Sequence, residues 1–82
     1  MIKENMIVTS TKGKDVDTLY IVIRIENGFA YLFDGKARVL DNLKKKNVKH
    51  LKIVDSSINL DFKSMKTCDI IHWLKCYKQK LS

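Results

Sequence analysis

The stretch "LYIVIRIENGFAYLF", residues 19–33, decides the fold of this chain. In its first half, β-branched residues are frequent and apolar side chains recur with a period of two, which favours a strand. The apolar side chains of one face are Leu19, Ile21, Ile23 and Ile25. Asn27 and Gly28 follow, and both residues tolerate the positive φ angles that a type I′ turn requires. The stretch therefore predicts a β-hairpin with strands at residues 19–26 and 29–33.

Shorter segments on either side of the hairpin extend the β pattern. Residues 5–11 are β-rich and partly alternating, and residues 48–54 predict a last short strand. Asp34-Gly35 repeats the turn chemistry and precedes a strand predicted over residues 36–40. Residues 43–47, "LKKKN", lack alternation and are predicted as a loop. About five short strands joined by tight turns favour a small closed barrel over an open sheet with exposed edges.

The carboxyl-terminal part of the chain changes to a helical period. Thr67 is the predicted N-cap, and Asp69 suits the positive end of the helix dipole. The apolar stripe of this helix consists of Ile70, Trp73, Leu74, Tyr77 and Leu81. A barrel of five short strands buries little apolar area, so we expect the stripe to pack across one end of it. Residues 55–66 are predicted as a connection with one helical turn.

Length and composition limit the chain to one small domain. The 82 residues are 45% hydrophobic, enough for a single core. We expect a barrel over residues 1–54, and over residues 55–82 a connection and a helix packed on that barrel. No apolar run approaches the roughly 18 residues that a membrane span needs. The amino terminus lacks the apolar segment of a signal peptide, so we expect a cytoplasmic protein with both cysteines as thiols.

Positive charge is concentrated in one segment. Residues 36–52 carry seven basic side chains and one acidic one, which accounts for +6 of the chain's net charge of +7. The rest of the chain is nearly neutral. A basic patch on an otherwise neutral domain indicates a nucleic-acid partner. A solvated loop that only aids solubility is the alternative.

Three segments, in this order, carry a resemblance to a known family. They are a Gly-basic-Asp corner (Gly13, Lys14, Asp15) before the hydrophobic strand, a DGK-x-R turn over residues 34–38, and a lysine cluster ending in Lys49-His50-Leu51. Over about residues 6–51 the chain resembles the bacterial KOW-domain RNA-binding proteins. Those proteins are relatives of the archaeal and eukaryotic large-subunit ribosomal protein number fourteen-e. The resemblance implies an SH3-like β-barrel, here with a C-terminal α-helix, and an RNA partner in the ribosome or in translation or ribosome assembly.

The candidate RNA-binding residues combine the basic cluster with the loop around Gly13. They are Lys12, Gly13, Lys14, Lys36, Arg38, Lys44, Lys45, Lys46, Lys49 and His50. Lysines suit phosphates as mobile point charges, whereas only two arginines are available for base-edge recognition. We therefore expect phosphate contacts to ribosomal or other structured RNA without sequence specificity. The alternative function is an SH3-like protein-interaction module that binds an acidic partner in translation or transcription.

Four aromatic residues near the basic segment leave two roles open. Tyr20, Phe29, Tyr31 and Phe33 would either stack on bases or fill the barrel, and filling the core is the commoner role. The sequence alone does not choose between these roles for each ring.

A C-x3-H-x3-C pattern on the predicted helix suggests a metal site at first sight. Cys68 and Cys76 would lie about 12 Å apart at a rise of 1.5 Å per residue, too far for one zinc ion to bind both together with His72. We expect neither a metal nor another cofactor. No nucleophile–base pair, paired carboxylates or phosphate-loop spacing is present, which indicates a protein that is not an enzyme. The expected partners are RNA and ribosomal proteins, with no membrane and no small-molecule substrate.

Overall fold

The computed structural model describes residues 1–11, 18–35 and 43–81. Its elements are β1 (Ile7–Ser10), β2 (Leu19–Glu26), β3 (Phe29–Phe33), β4 (Lys44–Asn47), a 3₁₀ turn (Val48–His50), β5 (Leu51–Asp55), a second 3₁₀ turn (Phe62–Ser64) and helix α1 (Thr67–Leu81). The strand predicted over residues 36–40 lies outside the described residues, as does the side chain of Leu81. The fold class is confirmed: the protein is mainly β, with a C-terminal helix.

The five strands form one antiparallel sheet in the order β4-β3-β2-β1-β5. Strands β4 and β5 therefore lie at opposite ends of the sheet, although only the three-residue turn Val48–His50 joins them. The chain from Asn47 to Leu51 spans at most about 14 Å. The outer strands of a flat five-stranded sheet would be roughly 19 Å apart. The sheet must therefore curl so that its two edges approach each other, which gives a small SH3-like barrel. Among the described strands β4 and β5 do not pair, however, so the barrel is open there, and the expectation of a closed barrel is wrong in this respect.

The β2–β3 hairpin has the predicted bounds. Asn27 and Gly28 have φ angles of 51° and 79°, the left-handed values of a type I′ turn. Inside the hairpin, however, the register shifts between Val22 and Arg24. This β-bulge inserts one residue and turns the rest of β2 over. The prediction that Ile25 shares a face with Ile21 and Ile23 is therefore wrong, because Ile25 pairs with Ala30 on the opposite face.

Both faces of the sheet are buried, each by a separate core. The barrel interior contains Val8, Tyr20, Val22, Ala30, Leu32 and Leu51. The opposite face contributes Ile7, Ile21, Ile23 and Phe33, which pack with Phe62 and with Ile70 and Leu74 of α1. Ile7 pairs with Ile21 and Ile21 with Phe33, so this second core follows a row across three strands. The helix therefore covers a face of the sheet. The prediction that it would pack across one end of the barrel is wrong.

Helix α1 approaches the sheet closely at the turn after β3. Gly35 has a φ of 81°, and a Cβ atom there would lie 2.9 Å from Cδ2 of Leu74. The left-handed backbone angle therefore favours glycine at this position, and a Cβ atom would in addition press against the Leu74 side chain. The helix begins at Thr67, and the amides of Asp69 and Ile70 donate to the carbonyl of Lys66. Lys66 therefore occupies the N-cap that the sequence assigned to Thr67.

The connection before α1 contributes a core residue. The predicted helical turn is present at Phe62–Ser64, where the carboxylate of Asp61 accepts hydrogen bonds from the amide of Lys63 and the hydroxyl of Ser64. The amide of Phe62 donates to Oδ1 of Asn5, and its ring is fully buried. This turn therefore anchors the connection to the amino-terminal end of β1.

One side-chain hydrogen bond ties α1 to β5. The Tyr77 hydroxyl donates to Oδ2 of Asp55 over 3.0 Å. Bonds from the hydroxyl and amide of Ser57, and then the bond from Tyr77, hold the pKa of the Asp55 carboxyl below its ordinary value. Partial burial, followed by the bond to Asp55, raises the pKa of Tyr77 above its ordinary value.

Replacing Tyr77 by phenylalanine is expected to change how stability depends on alkaline pH. Because the folded state holds the phenol proton more tightly, the stability gained from Tyr77 is present below about pH 10 and is lost as pH rises through the folded pKa. Phenylalanine has no such proton. The urea midpoint of Tyr77→Phe should lie below that of the wild type at pH 8, and the gap should narrow by pH 11. Parallel declines of the two proteins would contradict this.

Candidate nucleic-acid interface

The three consecutive lysines form a strand and not the predicted loop. Strand β4 pairs with β3 through Leu32 opposite Lys44, Tyr31 opposite Lys45 and Ala30 opposite Lys46. Lysine has a low intrinsic strand propensity, but the apolar strand β3 supplies a ladder of backbone partners that overrides it. Because β4 lies at the end of the sheet and its side chains are partly exposed to solvent, it does not need alternating apolar residues. The outcome is an edge strand with Lys44 and Lys45 exposed and Lys46 half-buried.

Because side chains alternate along a strand, the lysine triplet faces two ways. Lys44 and Lys46 lie on the face of the barrel interior, and Lys45 lies on the opposite face with Tyr31. The ammonium group of Lys44 is 3.9 Å from the Asp34 carboxylate and 5.6 Å from the ring centroid of Tyr20. That of Lys45 is 4.6 Å from the ring centroid of Phe29.

Lys49 and His50 lie in the first 3₁₀ turn, so the strand predicted over residues 48–54 begins only at Leu51. The Asn47 side chain accepts a hydrogen bond from the amide of Lys49 over 2.9 Å. Such a local bond favours a turn over a strand, which explains why the strand begins three residues later than predicted. The carbonyl of His50 accepts bonds from the amide and the hydroxyl of Thr11. Lys49 is exposed beside the end of the lysine strand, whereas His50 is half-buried.

The other half of the predicted site cannot be placed. Lys12, Gly13, Lys14, Lys36 and Arg38 lie outside the described residues. The described part of the predicted set therefore runs along β4 and the turn after it, from Lys44 to His50.

The four aromatic residues divide into a buried pair and a half-buried pair. Tyr20 and Phe33 are fully or almost fully buried, one in each core. Phe29 and Tyr31 are half-buried on the outer face of β3, next to Lys45. Arg24, which is not among the predicted site residues, lies with its guanidinium carbon 4.2 Å from the ring centroid of Tyr31. The bulge in β2 brings Arg24 to this face, and the sequence carries no clear signal of that bulge.

The cysteine–histidine pattern lies on the exposed side of α1. All three side chains are exposed, and Sγ of Cys76 is 3.7 Å from Nε2 of His72. Within residues 1–11, 18–35 and 43–81, no group of three or more His, Cys, Asp or Glu side chains is arranged to hold a metal ion.

An apolar cleft of about 620 Å³ lies beside the turn Val48–His50. Its lining consists of Met1, Ile2, Ile25, Val48, Lys49, Leu51 and Ile53. The sequence did not indicate this cleft, because Ile25 reaches it only through the bulge in β2.

No family model matches the chain, and no curated protein matches it either. The resemblance to the KOW-domain proteins is untested by these comparisons and stays a prediction. Among the described residues, no helix has both the length and the apolar character to cross a membrane.

Proposed function

We propose that this protein binds RNA through phosphate contacts from its basic surface and acts in the ribosome or in translation or ribosome assembly, in the cytoplasm. The observation that carries the proposal is the exposed edge strand β4, with lysines at three consecutive positions and Lys49 beside them. The concentration of +6 of the net charge within residues 36–52 and the resemblance to KOW-domain proteins support it.

The chemistry of β4 suits phosphate groups. A lysine side chain carries its charge on a flexible stem, so ammonium groups from both faces of an edge strand can reach a backbone that runs along that edge. Phosphate contacts position an RNA without selecting its sequence. The proposed activity is therefore binding to structured RNA, without catalysis and without a cofactor.

Protein purified at low salt is expected to carry nucleic acid if the proposal is correct. The ratio of absorbance at 260 nm to that at 280 nm should be raised and should fall after ribonuclease treatment, but not after deoxyribonuclease treatment. The stripped protein should then bind an RNA hairpin, measured by fluorescence anisotropy at low salt. A normal ratio together with no binding of the hairpin would overturn the proposal.

The apolar cleft favours one alternative function, a protein-interaction module. Lys49 stands at the rim of a surface lined by Ile25, Val48 and Ile53, a combination that suits an acidic segment with an apolar anchor. Replacing Ile53 by serine separates the two functions, because it removes the apolar anchor site without changing any charge. It should weaken binding of such a segment and leave RNA binding nearly unchanged, because Ile53 lies on β5, outside the lysine strand β4.

A further inference from the structure

Two aromatic rings and two cations share one face of the sheet beyond the reach of α1. Directly paired residues of antiparallel strands point to the same side. The pairing therefore sets out two rows of three side chains: Arg24, Tyr31 and Lys45 in one row, and Glu26, Phe29 and Asn47 in the next. Phe29 and Tyr31 are two positions apart along β3, so their rings are roughly 7 Å apart along the strand.

These two rings are covered by charged groups and not by the core. Neither Phe29 nor Tyr31 belongs to either of the two apolar cores of the described residues, and both are half-buried. The guanidinium carbon of Arg24 is 4.2 Å from the ring centroid of Tyr31, and the ammonium group of Lys45 is 4.6 Å from that of Phe29. Arg24 also lies 3.7 Å from the carboxylate of Glu26, with both side chains about half exposed. Exposed contacts of this kind are weak, so a ligand with its own π-face can replace them.

We infer that this face, formed by Arg24, Phe29, Tyr31 and Lys45, binds unpaired bases of an RNA. Phe29 and Tyr31 stack on successive bases, while Arg24 and Lys45 move from the rings to the adjacent phosphates. Aromatic side chains on a basic surface are a recurrent platform for single-stranded nucleic acid. The inference rests on the proposed function and narrows its ligand to RNA with an unpaired segment.

Charge favours RNA over a protein as the occupant. The face continues directly into the lysine strand, where Lys44 and Lys46 project from the other side of β4. Among the residues that the structure describes on this face, Glu26 is the one acidic side chain opposed to its cations. A nucleic acid offers phosphates to the cations and base faces to the rings at a regular spacing. Base-paired RNA hides its base faces within the stack, so a duplex would use the lysines alone.

Single substitutions to leucine separate stacking from charge. Phe29→Leu and Tyr31→Leu keep apolar volume on β3 and remove the aromatic plane. The probes are an eight-nucleotide oligouridylate with a central 2-aminopurine and a blunt RNA duplex of the same length. Each variant should bind the single strand about tenfold more weakly than the wild type and bind the duplex equally well. Wild-type protein should quench the 2-aminopurine fluorescence, and the double variant should not.

Val54→Ala is the control, because it removes an exposed apolar side chain from β5, a strand that contributes no residue to this face. It should leave both affinities unchanged. Thermal melts of all variants establish that they are folded. If the leucine variants bind both RNAs as the wild type does, the inference is overturned while the proposed function stands, and the cation–π pairs only stabilise the hairpin. If wild-type protein binds an acidic peptide but neither RNA, both the inference and the proposed function fall.

Discussion

Replacing Leu74 by alanine is expected to lower the free energy of unfolding by about 3 kcal/mol. Leu74 is 1% exposed and packs with Phe62 and Ile70 against the sheet. Its removal leaves a cavity at the centre of that contact, where the turn at Gly35 already lies against the helix. A domain of this size has a total stability of roughly 4–12 kcal/mol, so the loss is a large share. Urea denaturation followed by far-ultraviolet circular dichroism measures it.

The single tryptophan makes the experiment more specific. Trp73 makes an edge contact with Phe62 at 5.0 Å between ring centroids and stacks on Tyr77 at 5.2 Å. Its emission therefore reports whether α1 is docked, whereas circular dichroism reports the backbone of the whole protein. Lys75→Ala is the matched control, since this exposed neighbour on the same helix should change stability by less than about 0.5 kcal/mol. An unchanged midpoint for Leu74→Ala would mean that the helix does not contribute to the core.

The elements that the sequence predicts best are those whose signals are local. The bounds of β2 and β3 follow from alternation and from the turn at Asn27-Gly28, and the structure has the same bounds. The helix follows from its apolar stripe, and Ile70 and Leu74 of that stripe are buried against the sheet. In each case the deciding residues lie within a few positions of one another.

The elements that the sequence misses depend on distant partners. Strand β4 consists of residues with poor strand propensity and exists because β3 lies beside it. The bulge after Val22 depends on the register against β3, and the run of apolar residues in β2 contains no glycine to mark it. Strand β5 begins only after a 3₁₀ turn that Asn47, the last residue of β4, caps locally. That signal was present in the sequence, although the β-rich residues after it favoured a longer strand.

The candidate site was predictable in composition but not in arrangement. Charge alone marks the lysine cluster, yet only the strand geometry shows that Lys45 faces away from Lys44 and Lys46. The sequence likewise offers four aromatic residues without saying which are buried. Arg24 is far from the cluster in sequence and reaches Tyr31 through the pairing of β2 with β3. Surface chemistry assembled across strands is not visible in any short window of sequence.

Changing Lys44, Lys45 and Lys46 together to alanine is expected to flatten the salt dependence of RNA binding. Each phosphate contact contributes about −0.9 to the slope of log K against log salt on duplex DNA and about −0.7 on single strands. Lys44 has the Asp34 carboxylate within 3.9 Å, so part of its charge is already neutralised in the free protein and it should displace less than one full counterion from the RNA. The slope should therefore become shallower by about two units. Affinity should fall for all RNA sequences alike, because phosphates carry no sequence information.

The control for this variant removes the same charge elsewhere. Lys75, Lys78 and Lys80 are exposed on α1, and changing all three to alanine also removes three positive charges. If RNA contacts β4, the control should keep the wild-type slope at matched salt concentrations. Equal flattening in both variants would indicate a general effect of net charge and would contradict a local site.

Lysines also protect sheet edges from pairing with other chains. An unchanged slope, combined with aggregation of the β4 variant alone, would assign the triplet to that protective role and leave Lys49 and Arg24 among the described residues that could contact RNA.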